Sequence, residues 1–231
     1  MQFPNAYQGV KRLFFAEILG IITTLVSLMF VMIASGIKTF RGLLVFASIL
    51  TPLLLGLSFV TFVIRFLALG RAAQDEESFA TAQIANLISF GLTLLNQFVV
   101  KNPILSLVAS IASICTIMFI LSGIMNLALR LRDADTYDRG KFLKRLIWFL
   151  ILSPFVLLLL AYLLKTSSAA AILVLVFALV YIVALIAEAV LYVCYLLKAK
   201  KMLHYARLEE WDPMGGVSSV FRPVDPDANP W

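Results

Sequence analysis

Six long apolar runs, at 13–35, 43–64, 82–100, 104–129, 146–164 and 168–197, leave this chain few ways to fold. A helix rises about 1.5 Å per residue, so roughly 20 apolar residues cross a hydrocarbon core about 30 Å thick. The runs are continuously apolar and about twice as long as a barrel strand, which would alternate, so each predicts a transmembrane helix. Composition agrees. Of 231 residues, 62% are hydrophobic and 14% charged, where soluble domains carry about 25% charge. The mean hydropathy is +0.99. The expected fold is all-α: a polytopic transmembrane bundle of six spans within 1–208, followed by an extended tail at 209–231. The first run exceeds the apolar core of a secretory leader, and no A-x-A site follows closely, so it reads as a retained span.

Charge orients the spans. Fifteen of the 19 basic residues fall at the N-terminus, after runs two and four, or after run six, while Lys38, Arg41, Lys101 and Lys165 fall on the other side. Basic residues stay cytoplasmic in short loops, so both termini are expected inside a cell inner (plasma) membrane. The inner side also holds 11 of the 13 acids, in "QDEES" (74–78), "RDADTYD" (132–138) and the tail. Mixed signs exclude a nucleic-acid patch.

The outer connections "GIKTFRG", "KNP" and "KTSS" are short, and the inner ones, 65–81 and 130–145, are longer and charged. A protein partner is therefore expected from the cytoplasm. The Pro-rich tail offers Trp211, Phe221 and Trp231 as apolar anchors, either for that partner or for the inner membrane face. Two internal symmetries compete. Three hairpins end in "FLALGRAAQD", "NLALRLRDAD" and "YLLKAKK"; alternatively, "ILTPLLLG" (49–56) and "ILSPFVLL" (151–158) mark two inverted halves. In the second, Pro52 and Pro154 kink their helices near mid-membrane.

Glu188 stands inside the last run, at a depth where an acid costs about 2.5–3.5 kcal/mol. Tyr181, Ala184, Glu188, Tyr192 and Tyr195 follow 3–4 spacing and share one helix face, able to line a polar cavity. Glu17, Arg65, Asn86 and Asn126 lie at similar inner depth on other runs, and Glu17 with Arg65 is the natural ion pair. The bland alternatives are interhelical hydrogen bonding for Glu188 and snorkelling for Glu17 and Arg65. Ser106, Ala109, Ser113, Thr116 and Gly123 form a small-residue seam on run four, which predicts close packing against another span or a second copy of the chain.

Several chemistries find no residues. His204 is the only histidine, and neither G-x-x-x-x-G-K-[ST] nor G-x-S-x-G occurs. "DADTYD" lacks the ligand pattern of a calcium loop and reads as a solvated charged loop. Cys115 and Cys194 lie inside runs and read as packing residues. No metal, cofactor or enzymatic activity is expected.

The span pattern, with "LALGRAAQDEESFATAQIANL" leading from one hairpin to the next, resembles small uncharacterised multi-span bacterial membrane proteins. That resemblance covers most of 7–201 and implies an inner-membrane location, with no activity or site residues. Two functions are expected. The first is a non-enzymatic membrane scaffold or accessory subunit that presents its cytoplasmic loops and tail to a partner, with a second copy of the chain as a further candidate partner. The alternative is a small proton- or ion-coupled transporter using intramembrane Glu188.

Overall fold

The computed structural model describes residues 3–36, 40–99, 101–163 and 168–209. Its described residues form six helices: α1 (Pro4–Gly36), α2 (Phe40–Ala72), α3 (Ser78–Phe98), α4 (Pro103–Arg130), α5 (Ala134–Leu163) and α6 (Ser168–Glu209). Five of them, all except α5, contain segments long and apolar enough to cross a membrane. The run expected at 146–164 ends in α5, whose side chains from 156 onward lie outside the described residues, as does that of Pro154. The tail beyond Glu209, with Trp211, Phe221 and Trp231, also lies outside them. Helix α2 continues through Pro52.

The helices outrun the apolar segments. The connection expected over 65–81 shrinks to 73–77, and the one over 130–145 to 131–133. Charge ends a hydrophobic run without ending a helix, because Arg, Lys, Ala and Gln are good helix formers. The expected solvated loop at 133–138 is therefore corrected. Asp133 and Thr136 are buried, and α5 starts at Ala134.

That corner is built by three residues. Arg132 takes a left-handed backbone, φ 56°. The Asp133 N–H donates to Ala128 O (2.9 Å) and the Arg132 N–H to Leu129 O (3.1 Å), the paired closure of a Schellman motif. The Asp133 carboxylate then caps the next helix, accepting from the Thr136 N–H at 3.1 Å and its hydroxyl at 2.6 Å. One aspartate thus closes α4 and opens α5.

The chain divides into two compact units. The first holds the described parts of Met1–Gly123 and Leu203–Met214. Here α1 packs along α2 through Ala6, Val10, Leu13 and Ala16 facing Ala68, Leu69 and Ala72. The contact is close because Gly9 has no side chain: a Cβ there would lie 2.7 Å from Ala68 O and from the Ala72 methyl. Asp75, in the α2–α3 connection, reaches back to the start of α1, accepting from the Ala6 N–H (2.6 Å) and the Asn5 amide (3.3 Å).

The second unit holds the described part of Ile124–Met202. A Cβ on Gly140 would lie 2.5 Å from both Met125 and the Tyr195 hydroxyl, so this glycine sets how closely α5 meets α4 and α6. Lys198 forms an ion pair with Asp135.

Candidate functional site

The first unit carries a polar track, and α3 is its spine. Asn86, Ser89, Thr93 and Gln97 recur at 3–4 spacing and so share one helix face. The other face shows Ile84, Leu87, Ile88 and Leu95, all about half exposed, as suits residues facing lipid.

Three cavities lie along the track. The first, called deep because it lies farthest from the α3–α4 turn, has ≈ 240 Å³ and is lined by α1 (Gly20, Thr23, Thr24), α2 (Ser58, Thr61, Phe62, Arg65), α3 (Asn86, Ser89, Phe90, Thr93) and Ser113 of α4; Thr24, Ser58 and Thr93 stand at its open side. The second, ≈ 220 Å³, shares Ser58, Phe90 and Thr93 with it and extends to Thr51 and Gln97. The third, ≈ 590 Å³, shares Thr93 and Gln97 and reaches Lys101 and Asn102 at the α3–α4 turn. From Asn86 to Gln97 the helix rises about 16 Å, roughly half a hydrocarbon core. Phe62 and Phe90 stack at 4.0 Å between ring centres, beside the junction of the first two cavities.

The deep end is charged. Arg65 Nη2 donates to Glu17 Oε2 at 2.6 Å. Glu17 is buried, and its other oxygen has no hydrogen-bond partner among the described residues. Asn86 is 6% exposed, and its amide nitrogen likewise has none. Most of the hydroxyls are turned to backbone. Thr23 donates to Leu19 O, Thr24 to Gly20 O, Thr61 to Leu57 O and Thr93 to Ser89 O, while Ser89 crosses to Ala109 O of α4 at 2.9 Å.

The residues singled out from sequence divide between the two units. Glu17, Arg65 and Asn86 belong to the first; Asn126, Tyr181, Glu188, Tyr192 and Tyr195 belong to the second. The tyrosine face of α6 grades inward along the helix: Tyr181 and Glu188 are half-buried, Tyr192 and Tyr195 buried. The Tyr195 hydroxyl has no hydrogen-bond partner among the described residues. Asn126 is half-buried. The seam on α4 packs on α3 at two points, Gly123 under the Phe79 ring and Ala109 at Ser89. Thr116 is buried, Ser113 lines the deep cavity, and Ser106 is exposed. Among the described residues no cluster of three His, Cys, Asp or Glu is placed to hold a metal.

Apart from Ser113, which the packing seam picked out, the hydroxyls were missed in the sequence because Ser and Thr barely disturb an apolar run. The usable signal was the periodicity: Glu17–Gly20–Thr24, Ser58–Thr61–Arg65 and Asn86–Ser89–Thr93–Gln97 all step by three or four. No family model, curated protein or solved structure matches the chain.

Proposed function

We propose that this chain is a small multi-pass membrane transporter, in which a polar solute enters along the α3 track and the Glu17–Arg65 pair closes the deep end. The observation carrying this reading is the run of three cavities that share lining residues from Arg65 to Lys101. A bundle needing only to hold together gains nothing from hydroxyl-bearing clefts between its helices, since open space costs packing contacts. The intramembrane acid in this reading is Glu17, in place of Glu188.

In the same reading α5 makes a sixth crossing and both termini face the cytoplasm, supported by the distribution of basic residues. The track then opens at the outer α3–α4 turn. The chain has no enzymatic role in it. The scaffold reading rests on the tail and is tested separately, by whether deleting 209–231 abolishes capture of a cytoplasmic partner.

The test is cysteine accessibility in a Cys115→Ala/Cys194→Ala background. Gln97→Cys, Thr93→Cys and Ser89→Cys should react with a membrane-impermeant thiol reagent in that order of rate. Ile84→Cys, Ile88→Cys and Leu95→Cys should not react. Equal silence on both faces of α3 would remove the track.

A further inference from the structure

We infer that the solute of this track is small, uncharged and rich in hydrogen-bond donors, of the polyol or amide class. This rests on the transport reading above and names the chemistry of its substrate.

Among the described residues the deep cavity has one full charge on its wall, the Arg65 guanidinium, already held by Glu17 at 2.6 Å. An anion entering would have to take Arg65 from that carboxylate. A cation would approach a guanidinium already on the wall. An ion drawn out of water needs an opposite charge committed to it, and the pair's two charges are committed to each other. The cavity therefore selects against ions of either sign.

The hydroxyls say what it selects for. Five of the seven lining the deep cavity donate their proton to a helix carbonyl, as described above. A hydroxyl that has donated its proton keeps its acceptor capacity. These five consequently offer lone pairs and want an incoming O–H or N–H. Asn86 supplies the complement, a buried amide nitrogen with no partner among the described residues, which needs an acceptor. A solute with several donors and at least one acceptor satisfies both. At ≈ 240 Å³ the space is below the ≈ 300–1,000 Å³ of pockets for drug-sized ligands, which sets the size class.

The experiment is stopped-flow light scattering on proteoliposomes of the full chain, under inward gradients of glycerol, urea, potassium chloride or sodium acetate. Glycerol or urea should re-swell wild-type vesicles faster than protein-free ones, and the two salts should not. Thr93→Val, which replaces a hydroxyl by a methyl of the same shape, should slow that entry about fivefold, the weight of one hydrogen bond. Asn86→Leu should slow it at least as much, and the Thr93 variant keeps the test decisive if Asn86→Leu fails to fold. Passage of either salt without glycerol or urea overturns the substrate class while transport stands. Neutral entry unchanged in a folded Thr93→Val overturns the assignment to this cavity. Failure of all four to cross faster than in empty vesicles overturns the transport reading along with it.

Discussion

Arg65 and Glu17, 48 residues apart in the chain, meet at 2.6 Å and tie α2 to α1. The pair lies inside the segments of both helices that are apolar enough to cross a membrane, and its side chains are only 21% and 11% exposed. Removing either partner takes a charge-assisted hydrogen bond from a charge held between helices. Arg65→Ala or Glu17→Ala should each cost about 3–5 kcal/mol. The double variant should cost less than the two single costs combined, read by thermal unfolding in detergent.

Asp75 acts at a distance on the start of α1. It accepts the Ala6 N–H, one of the four donors a helix N-terminus leaves without an internal partner. Asp75→Ala should destabilise by about 0.5–2 kcal/mol, as loss of an N-cap does. Hydrogen exchange should speed up first in the opening turn of α1. Unchanged exchange there would contradict the capping role.

The α4–α5 corner makes predictions of opposite sign at adjacent residues. Arg132 occupies a left-handed conformation that disfavours a side chain by about 1–2 kcal/mol. Glycine is also more flexible when unfolded, so Arg132→Gly should stabilise by about 1 kcal/mol or less. Asp133→Ala should destabilise by about 1 kcal/mol or more, through the cap on Thr136. Chemical denaturation of the two variants checks both signs.

In the second unit, Gly140→Ala places a methyl against Met125 and the Tyr195 hydroxyl. Overpacking of this kind costs about 1–3 kcal/mol. Tyr195→Phe removes a buried hydroxyl that has no hydrogen-bond partner among the described residues, so it should be neutral or stabilising. It should also recover part of the Gly140→Ala loss. A large loss from Tyr195→Phe alone would show that the hydroxyl is satisfied in the membrane-embedded protein.

The helical, membrane-like character of the chain was legible because it depends on composition over about 20 residues, which no single contact overrides. Helix ends were not. Arg71 and Ala72 continue α2 beyond its apolar run, and α5 starts twelve residues before the apolar run at 146, since backbone hydrogen bonding is indifferent to charge. Asp133 was unreadable as a cap because that role requires the left-handed turn at Arg132, a tertiary feature of a non-glycine residue. Glu188 attracted attention by its depth, and Glu17 by its plausible partner. The structure groups Glu17 with Arg65 and Asn86 and leaves Glu188 in the other unit. Depth can be read from a hydropathy profile, but the neighbours across helices cannot. The stripe of Asn86, Ser89 and Thr93 was present in the spacing, yet its significance depends on α1 and α2 supplying hydroxyls opposite.

In the transporter proposed above, the Glu17–Arg65 pair seals one end of the track. The most direct test of that seal is the sidedness of labelling at Thr61→Cys, in the Cys115→Ala/Cys194→Ala background, in oriented proteoliposomes. Thr61 lines the deep cavity one helical turn from Arg65. With the pair intact, a membrane-impermeant thiol reagent should reach this site only from the side of the α3–α4 turn. With Glu17→Gln added, it should react from both sides. Reaction from both sides with the pair intact, or from neither in both proteins, would mean that the pair does not seal the track.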